Sequence, residues 1–110
     1  MGILVRVEFV VRDGREQDFA AVVRALAARV AEEPGTLKYD WYQGPGYVVV
    51  LEEYTDAAAA IGHNEHVADL LAQLFALADM TLLQLHGDVT PELQKVLDGL
   101  PAAQVFPPLG

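Results

Sequence analysis

The chain has no cysteine and few basic residues. Because none of its 110 residues is cysteine, disulfides, thiolate metal sites and a cysteine nucleophile are excluded, and the redox compartment is left open. Seven lysines and arginines against sixteen aspartates and glutamates give a net charge of -9 at pH 7. This charge disfavours nucleic acid and anionic lipid as partners, since both repel an acidic surface.

Long hydrophobic runs and phosphate-binding motifs are also missing. Charged residues interrupt every apolar run well before it could span a bilayer, and the first residues lack the basic region and cleavage site of a signal peptide. No G-x-G-x-x-G, Walker or G-x-S-x-G pattern occurs, which argues against nucleotide, flavin and serine hydrolase sites. We therefore expect a cytoplasmic protein that does not enter the membrane.

Hydrophobic residues, by contrast, make up 53% of the chain, and their periodicity predicts the fold. Alternating and β-branched segments predict strands at 3–11, 36–43, 47–54 and 80–87, with helices between them and after the last. The order β-α-β-β-α-β is the ferredoxin-like split βαβ arrangement, an α+β fold with helices on one face of an antiparallel sheet. We assign residues 1–98 to this domain and 99–110 to a C-terminal extension.

Finer details follow from capping residues and alternation. We expect Leu37 to share a strand face with the aromatic residues that follow it, and we leave the register of the 36–54 hairpin open. The first helix is predicted to stop at Pro34-Gly35. Asp56 is predicted to cap a short helix that Gly62 interrupts, and Asn64 to cap a longer one. The last helix is predicted to start at Thr90-Pro91.

Two segments carry more apolar residues than a single helical layer can cover. Strand residues 4–11 and 48–51 are apolar on both sides of the pleat, which predicts a second covered face and hence a homodimer packed sheet to sheet.

The 99–110 extension combines three prolines with several apolar residues, so we expect it to pack on its own domain or on the partner subunit.

The clearest polar cluster is His63, Asn64, Glu65 and His66. Two imidazoles on one helix face can bind a metal, but the spacing does not match H-E-x-x-H and supplies no third ligand, so we predict no metal site. A histidine lining a pocket can instead act as a general acid or base. In the structural alternative, Asn64 caps a helix and both histidines are partly exposed.

A second constellation lies on the hairpin strands. Tyr39, Trp41 and Tyr54 can form the wall of a pocket for a planar ligand, or they can be ordinary core packing. Glu52 and Glu53 face opposite sides, so one points toward a covered face, either as a base or as half of an intersubunit ion pair with Arg6 or Arg12. His86 sits on an apolar strand, where a hydrogen-bonded structural role is the alternative to ligand contact.

The stretches EEPGTLKYDWYQ (32–43) and VVVLEEYTDAAAAIGHNEHVADLL (48–71) resemble the antibiotic biosynthesis monooxygenase family, small dimeric α/β-barrel proteins that include quinol and anthrone oxygenases. The shared features are E-P-G before the second strand, the tyrosine at 39, E-E-aromatic-x-D at the end of the third strand, and the helix start that contains histidine. This chain has Tyr54 where the family often has tryptophan. It has no asparagine on the first strand, which argues against haem degradation.

The resemblance implies a dimer with one pocket per subunit and oxidation of an aromatic polyketide, anthrone or quinol by molecular oxygen, with no cofactor. The predicted catalytic residues are His66, His63 and Tyr54, with His66 as the base. The predicted substrate-binding residues are Tyr39, Trp41, Asn64, His86 and Glu52. A non-redox cyclase or isomerase in the same pocket, and a ligand-binding dimer without activity, are the alternatives.

Overall fold

The computed structural model describes residues 2–110, which form one five-stranded sheet and four helices. In chain order the elements are β1 (Ile3–Val11), α1 (Glu16–Val30), β2 (Thr36–Gln43), β3 (Val48–Tyr54), α2 (Ala57–His66), α3 (Ala68–Leu77), β4 (Ala78–Gly87), α4 (Pro91–Leu97) and β5 (Ala103–Phe106).

The strands lie side by side in the order β2-β3-β1-β4-β5. The first four pair antiparallel, and β5 pairs parallel to β4. This arrangement confirms the predicted α+β class and the ferredoxin-like order of the first four strands.

The core lies between one face of the sheet and the helices. On β1 every second side chain is buried, so Ile3, Val5, Val7 and Phe9 face inward. Helix α1 meets them with Leu26 among other buried residues at helical spacing, and α3 contributes its own buried stripe. Burying one such large aliphatic side chain contributes about 1.5–3 kcal/mol, so this layer supplies most of the driving force for folding.

The register of the β2–β3 hairpin places the aromatic residues on the inward face. Trp41 lies opposite Val50 and Tyr39 lies opposite Glu52. A shift in register between Thr36 and Lys38 takes Leu37 out of the alternation, and 59% of its surface is exposed. The expectation that Leu37 shares the aromatic face was therefore wrong, because a bulge adds one residue to the strand at that point.

Two predicted helix boundaries were also wrong. Gly62 does not interrupt a helix: α2 starts at its Asp56 cap and continues to His66, because one glycine costs only about 1 kcal/mol in a helix. Asn64 lies inside α2 instead of capping the next helix. The chain turns at Val67, a fully buried residue, before α3 begins.

Strand β5 was not predicted. It lies in the C-terminal extension and pairs with β4 of the same chain, with Leu85 opposite Val105 and His86 opposite Phe106. Before it, α4 begins as predicted, with the Thr90 side chain accepting a hydrogen bond from the Leu93 amide.

The other face of the sheet carries no helix in the structure of residues 2–110. Large apolar side chains are exposed there on three strands: Leu4 (51%) and Val10 (42%) on β1, Tyr42 (49%) on β2 and Phe106 (39%) on β5. None of the four helices is long and apolar enough to cross a bilayer.

Candidate functional site

A cavity of about 260 Å³ lies between the inward face of the sheet and the helices. Most of its walls are aliphatic or aromatic, and strands β1 to β4 as well as helices α2, α3 and α4 contribute to it. Its polar side chains are few and come from one stretch of the sequence. They are Tyr39, Trp41, Glu52, Tyr54, His63 and Asn64.

The aromatic side of the cavity is built around Trp41. The Trp41 ring stacks on Phe9, with centroids 5.8 Å apart and planes 25° apart. Phe19 of α1 meets the same ring edge-on at 5.8 Å, and Tyr39 does so at 6.0 Å. Because four rings fix one another in these geometries, this wall is rigid and suited to a flat ligand.

The indole N–H of Trp41 is buried and makes no hydrogen bond of ordinary geometry among residues 2–110; the Tyr39 side chain is close enough for the indole to oppose the rise of the Tyr39 pKa. Leaving a buried donor unpaired costs about 1–3 kcal/mol, so such groups are rare in folded proteins. Trp41 lines the cavity, and an acceptor atom of a bound ligand would satisfy this donor.

A carboxyl group and a phenol meet on β3. The hydroxyl of Tyr54 donates a hydrogen bond to Oε1 of Glu52, and both side chains face the cavity because they are two residues apart on a strand. Burial raises the pKa of Glu52, and the hydrogen bond from Tyr54 opposes this only in part. Glu52 is therefore a stronger base than an exposed glutamate and is harder to ionise.

Both cavity tyrosines remain protonated at neutral pH. Burial, reinforced by the nearby Glu52 carboxyl, raises the pKa of Tyr54 and of Tyr39 well above the usual phenol value. A neutral phenol can donate a hydrogen bond to an anion but cannot serve as a base. Among these three groups only Glu52 can accept a proton.

Helix α2 brings His63 and Asn64 to the cavity. They follow Ala60 at spacings of three and four residues, so all three lie on one helix face. The His63 side chain is only 5% exposed and lies between two phenol rings, with centroids 5.3 Å from Tyr39 and 5.4 Å from Tyr54.

Glu33 holds the far edge of the His63 ring. Its Oε1 lies 2.9 Å from His63 Nδ1, and its Oε2 lies 2.7 Å from His66 Nδ1. Glu33 was not among the site residues predicted from the sequence. The available signal was the E-P-G motif, whose glutamate it is.

The structure thus brings six of the eight predicted site residues together and leaves two outside the cavity. His66 lies at the surface beside Glu33, with 37% of its side chain exposed. His86 lies on the opposite face of the sheet, where its ring stacks on Phe106 at 5.0 Å and its Nδ1 lies 3.2 Å from the Leu4 carbonyl oxygen. In residues 2–110 no three histidine, aspartate or glutamate side chains are arranged to hold a metal ion.

The ion pair of a covered glutamate with Arg6 or Arg12 was predicted between subunits and stays a prediction; within the chain both arginines have other partners. Arg6 pairs with Glu8, and Arg12 pairs with Asp79. Of the two neighbouring glutamates it is Glu52 that faces the cavity, where none of the described lining residues is basic apart from His63.

Solved structures share this fold. MupZ from Pseudomonas fluorescens superposes with a TM-score of 0.82 at 22% identity, over 99% of this chain and 91% of that one. Rv0793 from Mycobacterium tuberculosis does so with a TM-score of 0.69 at 22% identity, over 77% of this chain and 92% of that one. SnoaB from Streptomyces nogalater, a cofactor-independent oxygenase, has a TM-score of 0.67 at 20% identity, over 76% of this chain and 89% of that one.

The comparison with curated proteins gives no match. The sequence profile of one family does match: it is described as antibiotic biosynthesis monooxygenase and covers residues 2–78, which include β1 to α3 and every polar residue of the cavity. The chain therefore belongs to the antibiotic biosynthesis monooxygenase family.

Proposed function

We propose that this protein is a cofactor-independent monooxygenase that oxidises an electron-rich aromatic substrate, such as an anthrone or a quinol, with molecular oxygen. The observation that carries this proposal is the buried Glu52–Tyr54 pair, which places a carboxylate more basic than an exposed one beside a neutral donor in an aromatic cavity. Family membership and the oxygenase activity named for SnoaB support it.

The cavity suits a small planar ring system. Its volume of about 260 Å³ is slightly below the range of roughly 300–1,000 Å³ that is usual for ligand sites. The substrate lies against the Trp41 wall, where its π-system packs on the fixed rings. The apolar surroundings keep water away from the reactive anion.

Glu52 removes a proton from the substrate. Burial makes its carboxylate more basic than an exposed one, and Glu52 later returns this proton to the oxygen atom that leaves as water. Once Glu52 is protonated its own O–H can donate to Tyr54, so the Tyr54 hydroxyl becomes free to donate to the substrate anion. The Trp41 indole and the Asn64 amide, which also line the cavity, donate to the same anion.

The substrate itself supplies the electrons for oxygen. For an anthrone the overall change is R₂CH₂ + O₂ → R₂C=O + H₂O. Two C–H bonds break, one oxygen atom becomes the carbonyl and the other leaves as water. The carbon loses four electrons and the two oxygen atoms gain four, so the reaction balances without an external reductant.

Oxygen consumption tests this proposal. Anthrone and a series of hydroquinones are incubated with the wild-type protein, with E52Q, and with E53Q, which makes the same change on the opposite face of β3. We expect turnover by wild type and E53Q, and a loss of about 10²–10⁴-fold for E52Q, the usual contribution of a general base. Uptake no faster than in buffer with every compound would overturn the proposal.

A proton-transfer reaction without oxygen is the second candidate, because the same glutamate and tyrosine can isomerise or cyclise a substrate. Product formation under strictly anaerobic conditions distinguishes it from oxygenation. If the protein is a dimer that only binds a ligand, anthrone should bind saturably and neither assay should show turnover.

We expect the active form to be a cytoplasmic homodimer. The exposed apolar side chains on the face of the sheet without helices are a suitable sheet-to-sheet interface. Cytoplasmic location remains a prediction from the sequence.

A further inference from the structure

Two histidines of α2 share one carboxylate, and this arrangement links the cavity to the surface. His63 lines the cavity, His66 lies at the surface, and Glu33 lies between them. We propose that Glu33 is a positioning residue for His63: it fixes the ring with Nδ1 protonated and leaves an unprotonated Nε2 as the acceptor for the second proton that the substrate loses, after Glu52 has taken the first. This inference rests on the proposed function of the cavity.

The hydrogen bonds of Glu33 determine which nitrogen of His63 carries the proton. Oε1 lies 2.9 Å from His63 Nδ1 and also accepts from Thr36 Oγ1 at 2.7 Å. Oε2 lies 2.7 Å from His66 Nδ1. An ionised carboxylate can only accept hydrogen bonds, so Nδ1 of each imidazole must be the donor.

Glu33 remains ionised despite its partial burial. Burial alone would raise the pKa of Glu33, but the hydrogen bonds from His66, and then from Thr36, outweigh it and hold this pKa below its usual value. A neutral His63 that donates from Nδ1 has its lone pair on Nε2. The same carboxylate then stabilises the imidazolium that forms when Nε2 accepts a proton.

The E-P-G motif explains how Glu33 reaches α2. A Cβ atom on Gly35 would lie 2.7 Å from the Cβ of Ala59, so only glycine lets the loop pack directly on the helix. The Thr55 amide donates a hydrogen bond to the Gly35 carbonyl at 2.9 Å and fixes the loop to the end of β3. The loop that positions the histidine is thus attached to the strand that carries Glu52.

His66 completes the arrangement from the solvent side. By donating to Oε2 it orients the carboxylate so that Oε1 stays directed at His63. The His66 backbone carbonyl accepts a hydrogen bond from Arg29 Nη1 at 3.3 Å, and the Arg29 guanidinium also pairs with Asp69. Among the charged groups facing the two rings, Glu52 approaches His63 from the cavity, and Glu32 lies 3.5 Å from His66 Nε2.

Long-range proton–nitrogen NMR of ¹⁵N-labelled protein tests this role without any substrate, because it identifies the protonated nitrogen of each histidine. In the wild type at alkaline pH we expect His63 to carry its proton on Nδ1. In E33Q the amide cannot accept from both rings, so we expect an Nε2–H form of His63 to appear. E65Q, which makes the same change at an exposed position on α2, should match the wild type.

The wild-type spectrum alone overturns the proposal if His63 carries its proton on Nε2. An Nδ1–H form that persists unchanged in a folded E33Q also overturns it. If E33Q does not fold, H66Q replaces it. The glutamine amide can still donate to Oε2 of Glu33, so the carboxylate stays directed at His63 and we expect His63 to remain in the Nδ1–H form. Loss of that form in H66Q would contradict the assignment to Glu33.

Kinetics with anthrone provide the second readout. We expect E33Q to lower kcat by at least about tenfold while KM changes less than about threefold; for comparison, carboxylates that support metal-bound histidines contribute about 10- to 100-fold. E65Q should leave both constants unchanged. If the wild type does not turn over anthrone, the NMR result still decides the positioning role, so failure of the proposed function and failure of this inference are separable.

Discussion

The hydroxyl of Tyr54 donates a hydrogen bond to the carboxyl of Glu52, and the two groups occupy successive inward positions of one strand. This spacing is fixed by the pleat of β3, so neither group can leave the cavity unless the strand itself changes register. The pair also has a measurable effect on stability, because a carboxyl group that resists ionisation makes folding depend on pH.

E52Q should make the protein more stable at high pH relative to the wild type. The pKa of Glu52 is raised in the folded state, so wild-type stability falls as pH increases from about 4.5, the usual glutamate value, through the folded pKa. Each unit of difference between the two pKa values is worth about 1.4 kcal/mol. Melting temperatures of both proteins from pH 4.5 to pH 8.5 check this.

The difference in melting temperature between E52Q and wild type should increase in favour of E52Q across that range. E53Q, on the opposite face of the same strand, is the control for a general charge effect. A difference that stays constant with pH would contradict the raised pKa of Glu52.

W41F should weaken ligand binding with little loss of stability. Phenylalanine keeps the packing on Phe9 and Phe19 but removes the unpaired indole N–H. One neutral hydrogen bond is worth about 0.5–1.5 kcal/mol, so we expect anthrone to bind about 3- to 10-fold more weakly. Calorimetric titration gives the affinity and thermal melting gives the stability.

In that experiment a hydrocarbon ligand without an acceptor atom is the matched control. Anthracene should bind W41F and wild type equally well, since it cannot accept from the indole. Equal loss of affinity for both ligands would show that the substitution had altered the shape of the wall instead.

V10E should convert the dimer to a monomer. Val10 is 42% exposed on the face of the sheet without helices, and a carboxylate there cannot be buried against a second copy without a large desolvation cost. Light scattering should give a mass of 11.9 kDa for V10E and twice that value for the wild type. A28E, which adds the same charge to an exposed position on α1, should remain dimeric. A monomeric wild type would refute the dimer itself.

Removing residues 99–110 should lower both stability and ligand affinity. Gly99 and Leu100 line the cavity, and β5 covers one edge of β4. Removing only residues 107–110, which follow β5 and are exposed, is the control and should change neither quantity. An unchanged affinity after the longer truncation would show that the extension does not close the cavity.

Much of the fold followed from the sequence because strand alternation and helical spacing report burial directly. Tyr39, Trp41 and Tyr54 were correctly expected on neighbouring strands, but their common face depended on the hairpin register, which a one-residue change in the loop inverts. The break at Val67 was missed because no glycine, proline or capping side chain marks it.

The least predictable parts depend on contacts between distant segments. Strand β5 is four residues long and follows a proline, so its pairing with β4 is a tertiary effect with no strong local signal. Glu33 and His63 are 30 residues apart, and only the close approach that Gly35 permits brings them together. His63 and His66 share helix α2, and the sequence alone does not say which of them faces the cavity.

The polar and apolar walls of the cavity come from different parts of the chain. Every polar lining residue lies in the segment 39–64. The segment 93–100 contributes only apolar side chains and one glycine. The chemistry and the shape of the site can therefore diverge independently in evolution. Exchange of the α4 segment between relatives is a route to new substrates that leaves the reacting groups untouched.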